Sequence, residues 1–324
     1  KAYVGGETFS SDFPTVSGSY LTTLTVRSGF LVVLNTGGNQ LEYGTFVGGN
    51  NFTGISDITL DANGFVYLTG STSASDFPTT SGSYDTSPRA GERDAFVMKL
   101  MTDANLPRSA QLIFSTVFGI AGDVGGLSIA LDGNGNVYVA GDVSGIGARI
   151  PTTTGSLSQV YGGNGDGMVF KLNPQGTQLL YSTYIGKAAE DRAHAVAVDP
   201  AGNVYVAGRT RSSDFPTTTG SVYQGDQEGF IMRFNMTMTP ASLSWGASVA
   251  KGWKAYPVPV HTGKIWIENT REQEGYFELW NVQGQQVQTW SLPRGTHEIK
   301  LNVAPGAYLL IERESGTGQY LIVE

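Results

Sequence analysis

The chain has 324 residues, of which 15% are charged, 44 are glycine and none is cysteine. This composition favours many short strands joined by tight turns over amphipathic helices, and it excludes disulfides and thiol catalysis. The formal net charge of -8 comes without a run of Lys or Arg, so we expect no nucleic-acid partner, no anionic-membrane partner and no membrane-spanning segment.

One stretch occurs three times in the first part of the chain. The copies begin at Asp61, Asp132 and Asp199, at intervals of 71 and 67 residues, and each reads Asp-x-x-Gly-x-Val-Tyr. Residues 2–5 form a fourth copy that is cut off at its start. A fixed period of about 70 residues indicates a repeat architecture.

Each period contains four apolar runs separated by turn signals. In the third copy the first three runs are 193–198, 203–207 and 229–234, and the fourth type of run precedes it at 179–186. Four hairpin-connected strands per period are typical of one propeller blade, with the small apolar first run innermost and the aromatic fourth run outermost. We therefore predict an all-β fold with β-propeller repeats over 1–246.

The loop between the second and third runs carries a second motif. It reads Asp-Phe-Pro at residues 12–14, 76–78 and 214–216, whereas the copy at 148–153 has Arg149-Ile150 in place of Asp-Phe. In this order the motifs resemble the SBBP family of bacterial β-propeller repeats, which implies a propeller fold. The chain holds just under four such blades, counting 242–246 as a candidate last strand, so we expect further blades before Lys1.

A different pattern begins after a linker predicted at 247–254. Alternating apolar residues over 255–324 predict a small immunoglobulin-like β-sandwich. The predicted strands cover residues 264–268, 276–280, 286–290, 297–301, 308–311 and 320–323.

This second domain also resembles a known family. The opening Tyr-Pro-x-Pro at 256–259, the hairpin 280–287, the segment 305–310 and the apolar last strand look like the type A sorting domain of type IX secretion, found on exported proteins of Bacteroidota. Val258 and Gln319-Tyr320 depart from the usual residues of that family. The residues that the resemblance assigns to sorting-signal recognition are Tyr256, Pro257, Pro259, Gly284, Gly306, Tyr308, Leu321 and Val323.

The resemblance implies four events at the cell surface. They are recognition by the outer-membrane translocon, recognition by a shuttle protein, cleavage in the linker by a sortase-like peptidase, and coupling to surface lipopolysaccharide. Independently of any family, a short terminal strand with alternating apolar residues can extend the sheet edge of a partner.

The repeated motifs allow chemical and structural interpretations. The Asp132 turn has the alternating oxygens of a calcium loop, but Val137 and Val143 stand where an EF-hand needs Gly and an acid, which favours a hairpin turn. Asp12, Asp76 and Asp214 either present a ring of acceptors to a sugar or cation, or cap turns while the adjacent Phe fills the gap between blades. We favour the second interpretation, because a site usually breaks symmetry.

Residues outside the repeats supply few catalytic candidates. Glu190 and Asp191 lie before an innermost strand and are either ligand-binding residues at the channel mouth or part of a solvated turn. His194, His261 and His297 share no metal-ligand spacing, and we expect His194 to be a strand residue without a catalytic role. Tyr161, Tyr184 and Tyr223 suit either a glycan-binding surface or core packing.

Three functional hypotheses follow. The first is a secreted, surface-displayed propeller that binds a glycan or a protein, without catalytic residues, cofactor or metal. The second is an exported polysaccharide-active enzyme, which would need Asp123, Glu190 and Asp191 to converge on the axis. The third is a structural spacer within a larger surface protein.

Overall fold

The computed structural model describes residues 1–23, 26–200, 202–216, 225–235, 253–256, 264–269, 274–281, 286–303, 306–312 and 317–323. The chain divides into two compact units, Lys1–Met236 and Thr237–Glu324. Within the described residues the only helix is the single turn α1 (Arg108–Gln111). The predicted all-β class is confirmed.

The described part of the first unit contains fourteen strands that form four antiparallel sheets. They are β1 (Ala2–Thr8), β2 (Ser28–Leu34), β3 (Leu41–Val47), β4 (Thr53–Leu60), β5 (Val66–Thr72), β6 (Asp94–Leu100), β7 (Leu112–Phe118), β8 (Ala121–Leu131), β9 (Val137–Arg149), β10 (Asp166–Leu172), β11 (Leu179–Ile185), β12 (Asp191–Val198), β13 (Asn203–Thr210) and β14 (Glu228–Asn235). The sheets β1–β3, β4–β7, β8–β11 and β12–β14 are called blades 1 to 4.

The blades have the order predicted from the repeat. Blades 2 and 3 are complete four-stranded meanders, whereas blade 1 begins at the second type of strand. Blade 4 ends at its third strand in the described residues, and the candidate strand 242–246 lies outside them. The first strands β4, β8 and β12 pack against one another in succession, as innermost strands of neighbouring blades do.

The hydrophobic core of the first unit lies between blades. Three buried clusters join blades 1 and 2, blades 2 and 3, and blades 3 and 4. The second and third strands of blade 2 and the third strand of blade 3 are buried along almost their whole length, since a neighbouring sheet covers each face. Stacking of the blades therefore provides the burial that one small sheet cannot provide alone.

The outermost strands β3, β7 and β11 are more buried than the innermost strands β4, β8 and β12. The long loop after the second strand folds back over the fourth strand and covers it. In blade 2 the backbone N–H of Val117 donates to the carbonyl of Asp85 (3.1 Å), and the Thr116 hydroxyl donates to the same carbonyl (3.0 Å). Thr45 and Thr183 make the equivalent hydroxyl bonds in blades 1 and 3.

The described residues of the second unit contain seven strands. They are β15 (Trp253–Tyr256), β16 (Lys264–Asn269), β17 (Gly275–Asn281), β18 (Gln286–Leu292), β19 (Gly295–Lys300), β20 (Gly306–Glu312) and β21 (Thr317–Val323). The sheets β15-β16-β19 and β18-β17-β20-β21 share one core, in which Ile267, Leu279 and Leu310 are buried together. All six predicted strands are present, and β15 begins inside the segment predicted as the linker.

Candidate functional site

The Asp of each Asp-x-x-Gly turn is held by local hydrogen bonds. Asp132 accepts the backbone N–H groups of Asn134 and Asn136 (both 2.9 Å) and the Tyr138 hydroxyl (2.9 Å). Burial acts to raise the pKa of Asp132, but the bonds from Asn136 and Tyr138 outweigh it and the pKa is lowered. The geometry agrees with the hairpin interpretation and explains why Asp and Tyr recur together.

The Asp-Phe-Pro loops lie at the end of each blade where the second strand leads into the third. In the three copies the Phe N–H closes a turn onto the residue three positions earlier, and Asp12, Asp76 and Asp214 are exposed in these turns. Asp76 also accepts the backbone N–H of Asn50 (2.6 Å). The three carboxylates belong to three different blades, and each serves a separate turn.

The Phe of this loop packs in the core between two blades. Phe77 lies 4.8 Å from Phe96 between ring centroids, and Phe215 lies 4.7 Å from Phe230. In the divergent copy Ile150 takes the buried position of the Phe within the cluster between blades 2 and 3. These residues have the packing role that the structural interpretation gave them.

A groove of about 770 Å³ lies next to Asp76 at the junction of blades 1 and 2. Its lining includes Tyr20, Asn50, Asp76 and Arg108, which combine an aromatic ring with groups that donate and accept hydrogen bonds. Such a mixture suits a polar ligand with apolar faces, such as a sugar.

Glu190 is held by three arginines. Its carboxylate lies 3.2 Å from Arg192, 2.8 Å from Arg209 and 3.4 Å from Arg211. The side chain keeps 28% exposure, so the group is a partly accessible charged cluster at the start of blade 4. Glu190 is therefore engaged with cations of the chain itself, and it is not an isolated acid at the channel mouth.

Asp191 is fully buried, which fits neither a ligand-binding residue at the channel mouth nor a solvated turn. Its Oδ2 atom accepts the N–H of Lys187 (2.8 Å) and the hydroxyl of Ser212 (2.8 Å). Asp123, the third acid of the enzyme hypothesis, binds the backbone N–H of Arg93 (3.0 Å). Each of the three acids thus has its own hydrogen-bond or ion-pair partners within the chain.

His194 occupies a β-bulge of the innermost strand β12. It stands unpaired between Ala193, opposite Gly208, and Ala195, opposite Ala207. The imidazole is exposed, as bulges often turn a side chain outward. His194 is thus the exposed strand residue expected from sequence.

Tyr161 and Tyr184, for which sequence left glycan binding and core packing open, pack in or against the core between blades 2 and 3. Tyr184 is 2% exposed, and its ring centroid lies 5.9 Å from that of Tyr161. The Tyr184 hydroxyl accepts the N–H of Ile150 (2.8 Å). Tyr223 lies outside the described residues.

The position after the repeated glycine differs in every blade and was not identified from sequence. It is occupied by Glu7, Ser71, Asp142 and Arg209. Burial raises the pKa of Asp142, and the positive charges of Arg192 and Arg93 oppose that rise. Aligning the four copies would have found this position, because variable residues on a repeated scaffold stand out from it.

Four of the predicted sorting residues meet in the last hairpin. Gly306 pairs with Val323 and Tyr308 pairs with Leu321 across β20 and β21. Tyr256 lies in β15 opposite Trp266, whereas Pro257, Pro259 and Gly284 lie outside the described residues. Strand β21 stands at one end of its sheet order, so the C-terminal segment forms a sheet edge.

The described residues contain neither a candidate metal-binding cluster of three or more side chains nor a membrane-spanning helix. No group of three or more His, Cys, Asp or Glu side chains converges there in a geometry that would hold a metal ion. Among the same residues, no helix is long and apolar enough to span a membrane.

Comparison with known proteins supports the repeat. The family model described as SBBP, beta-propeller repeat, matches residues 180–216, which include β12, β13 and the loop with Asp214. No curated protein matches the chain. The SBBP-type repeat predicted from sequence is thus confirmed over this segment.

Two solved structures share weak similarity with the chain. One is PorZ, an essential bacterial surface component of the type-IX secretion system of Porphyromonas gingivalis, with 10% identity and a TM-score of 0.31 over 93% of this chain. The other is the extracellular domain of a protein assigned as a hybrid two component system of B. thetaiotaomicron, with 10% identity and a TM-score of 0.29 over 92%. The chain spans 36% of the length of each.

Proposed function

We propose that this chain belongs to a secreted propeller protein that is displayed on the cell surface, binds a glycan or protein ligand, and is exported by the type IX secretion system. The observation that carries the export part is the last hairpin. Its second strand β21 (Thr317–Val323) lies at the edge of its sheet. An edge strand presents unpaired N–H and C=O groups to which a partner can add a strand.

The export hypothesis also rests on the pairing within that hairpin. Four residues that the sequence motifs separately assigned to sorting occupy two paired positions of β20 and β21. They are Gly306 opposite Val323 and Tyr308 opposite Leu321. A translocon or shuttle protein would then recognise one continuous surface. Attachment to the outer membrane after cleavage by a sortase-like peptidase completes the proposal.

Deletion of residues 319–324 tests this proposal. Full-length chain behind a signal peptide, expressed in a type IX-competent host, should reach the surface, whereas the truncated chain should stay in the periplasm with its blades folded. The control carries substitutions to Ser or Gly at the four non-glycine residues of 35–40, in the turn between β2 and β3, and should be displayed normally. Equal surface labelling of truncated and intact chains would refute the export role.

The binding part of the proposal rests on the residues that differ between blades. Groups of both charge signs and hydrogen-bonding groups lie on or next to the first two strands of blades 3 and 4. They are the Glu190 cluster, Asp142 on β9 and the exposed His194 on β12. A repeated scaffold that carries unlike polar groups is suited to a specific polar ligand.

A glycan array and a protein pull-down with the full chain test the binding role. We expect His194→Ala to weaken the retained ligand, because this side chain is exposed at the bulge. The control is Asn134→Ala, in the exposed turn between β8 and β9 of blade 3, and it should bind normally. Absence of any retained glycan or protein would favour the structural-spacer hypothesis.

A further inference from the structure

The three junctions between blades are joined by the same backbone hydrogen bond. A residue of each innermost strand donates its N–H to the carbonyl just before the third strand of the preceding blade. The bonds join Thr53 to Arg27 (3.2 Å), Val124 to Arg93 (2.9 Å) and Asp191 to Gly165 (2.9 Å). Three equivalent pairs of side chains result, namely Ser28 with Thr53, Asp94 with Val124 and Asp166 with Asp191.

The first two junctions are balanced in charge by the chain itself. Between blades 1 and 2 the groups are hydroxyls, and Thr53 shares a hydrogen bond of 2.8 Å with Thr72. Between blades 2 and 3 the buried Asp94 is paired with Arg89, whose Nε lies 2.5 Å from Oδ1 and whose backbone N–H lies 2.8 Å from Oδ2. A cation of the protein thus neutralises the buried carboxylate at that junction.

The junction between blades 3 and 4 differs from the other two at two positions. Tyr161 stands five residues before Asp166, where Arg89 stands before Asp94, and Asp191 stands where the other junctions have Thr53 or Val124. One change removes a positive charge and the other adds a negative one. The junction between blades 3 and 4 therefore has two buried carboxylates and no arginine at the position that Arg89 occupies in blade 2.

Both carboxylates are fully excluded from solvent, with 0% exposure. Each has one oxygen held by hydrogen bonds: Oδ2 of Asp166 accepts the N–H of Gly162 (2.6 Å), and Oδ2 of Asp191 accepts the bonds from Lys187 and Ser212. The Oδ1 atoms of both residues have no hydrogen-bond partner among the described residues.

The two carboxylates face one another over Gly186. A Cβ added to this glycine would lie 2.7 Å from Oδ1 of Asp166 and 2.7 Å from Oδ2 of Asp191. The two oxygens are therefore no further apart than twice that distance.

Two ionised carboxylates out of water cost several kcal/mol each unless a positive charge offsets them. We propose that a hard divalent cation binds between Asp166 and Asp191 and joins blade 3 to blade 4. Its protein ligands are Oδ1 of Asp166 and the carboxylate of Asp191, and the hydrogen bonds to the two Oδ2 atoms fix the orientation of both carboxylates. The cation replaces the guanidinium that Arg89 supplies one junction earlier.

The donor set selects the class of cation. Carboxylate oxygens with water or carbonyl oxygens in the remaining positions favour Ca²⁺ or Mg²⁺ over metals that prefer nitrogen or sulfur. Two carboxylates from different blades do not impose a regular octahedron, which favours Ca²⁺. The site is structural, and it is independent of the proposed export and binding functions.

Calorimetric titration and thermal unfolding of the full chain, first freed of metal with a chelator, test the proposal. We expect CaCl₂ at a hundredfold excess over Kd to raise Tm by roughly 5 °C. Asp191→Asn should weaken Ca²⁺ binding at least tenfold and abolish the rise in Tm. Asp12→Asn, at an exposed carboxylate of blade 1, is the matched control and should behave as the parent protein.

Two further variants keep the test decisive. Tyr161→Arg places a guanidinium where blade 2 has Arg89, so it should raise Tm in chelator and remove the response to Ca²⁺. If Asp191→Asn does not fold, Asp191→Thr takes its place, because Thr occupies the equivalent position in blade 2.

The proposal is overturned if neither Ca²⁺ nor Mg²⁺ changes Tm of the parent protein, or if the Asp191 variants respond to Ca²⁺ as the parent does. Stabilisation of Asp191→Asn in chelator without a Ca²⁺ response in the parent would mean that the carboxylates share a proton.

Discussion

The glycine at the end of each repeated stretch lies opposite a bulge in the innermost strand. A Cβ on Gly141 would lie 1.9 Å from the carbonyl oxygen of Gly125, and the corresponding distances are 1.9 Å at Gly70 and 2.0 Å at Gly208. The atom in the way belongs to the backbone of a paired strand, so no side-chain rotation relieves the clash. Separation of the two strands by about 1 Å is needed to restore normal contact.

We expect Gly141→Ala to lower the free energy of unfolding by about 3 kcal/mol, which is roughly 6 to 12 °C in Tm for a unit of this size. Gly133 in the preceding turn has nothing within 4 Å of an added Cβ, so Gly133→Ala should be neutral. Gly135 has a φ of 80°, and Gly135→Ala should cost about 1 kcal/mol through backbone strain alone.

Urea denaturation followed by far-UV circular dichroism and by tryptophan fluorescence measures the series. All five Trp residues lie after Met236, so fluorescence reports the second unit and serves as an internal control. Only the dichroism transition should move. The close-approach explanation fails if Gly141→Ala stays within 1 kcal/mol of the parent, or if Gly133→Ala destabilises the chain equally.

Two further substitutions test the contacts that the repeat conserves. Phe77→Ala should cost about 3 to 5 kcal/mol by thermal or urea unfolding, because the ring is 2% exposed. Phe77→Ile should cost less, since Ile150 fills the same position in blade 3, and an equal cost for both would contradict the packing role. Tyr138→Phe removes the hydroxyl bond to Asp132 and should cost about 1 kcal/mol near neutral pH. The pKa of Asp132 is lowered in the folded state, so this bond contributes above pH 3.8 and its contribution is lost as pH falls further. A pH-independent difference between Tyr138→Phe and the parent would contradict the assignment.

Much of the fold could be predicted because the same hydrogen-bonded turn recurs in successive blades. The turn at Asp132 needs a carboxylate, a glycine and a tyrosine at fixed spacing, and all three remain visible in every full copy. The burial order of the strands could not be predicted from hydropathy. It depends on the Asp-Phe-Pro loop, whose backbone bonds to residues of the fourth strand that are distant in sequence, as from the N–H of Thr80 to the carbonyl of Ser115.

The candidate sites were harder to predict because their meaning depends on partners far apart in the sequence. Nothing in the sequence around Glu190 indicates that it pairs with Arg209 and Arg211, because the fold brings these arginines to it from the next strand. Asp191 reads as part of a charged turn, yet it is buried beside Asp166, which no repeated motif identified. The signal lay in positions where one copy departs from the others.

Transfer of the second unit to an unrelated passenger tests whether this unit directs export through the type IX system. Residues Thr237–Glu324 are fused behind a signal peptide and a fluorescent passenger, and surface fluorescence sensitive to added protease is measured in a type IX-competent host and in its translocon-null derivative. The account predicts display in the first strain, none in the second, and loss of display when residues 319–324 are removed. Retention of the intact fusion in the periplasm of the competent host would contradict the claim that this unit directs export.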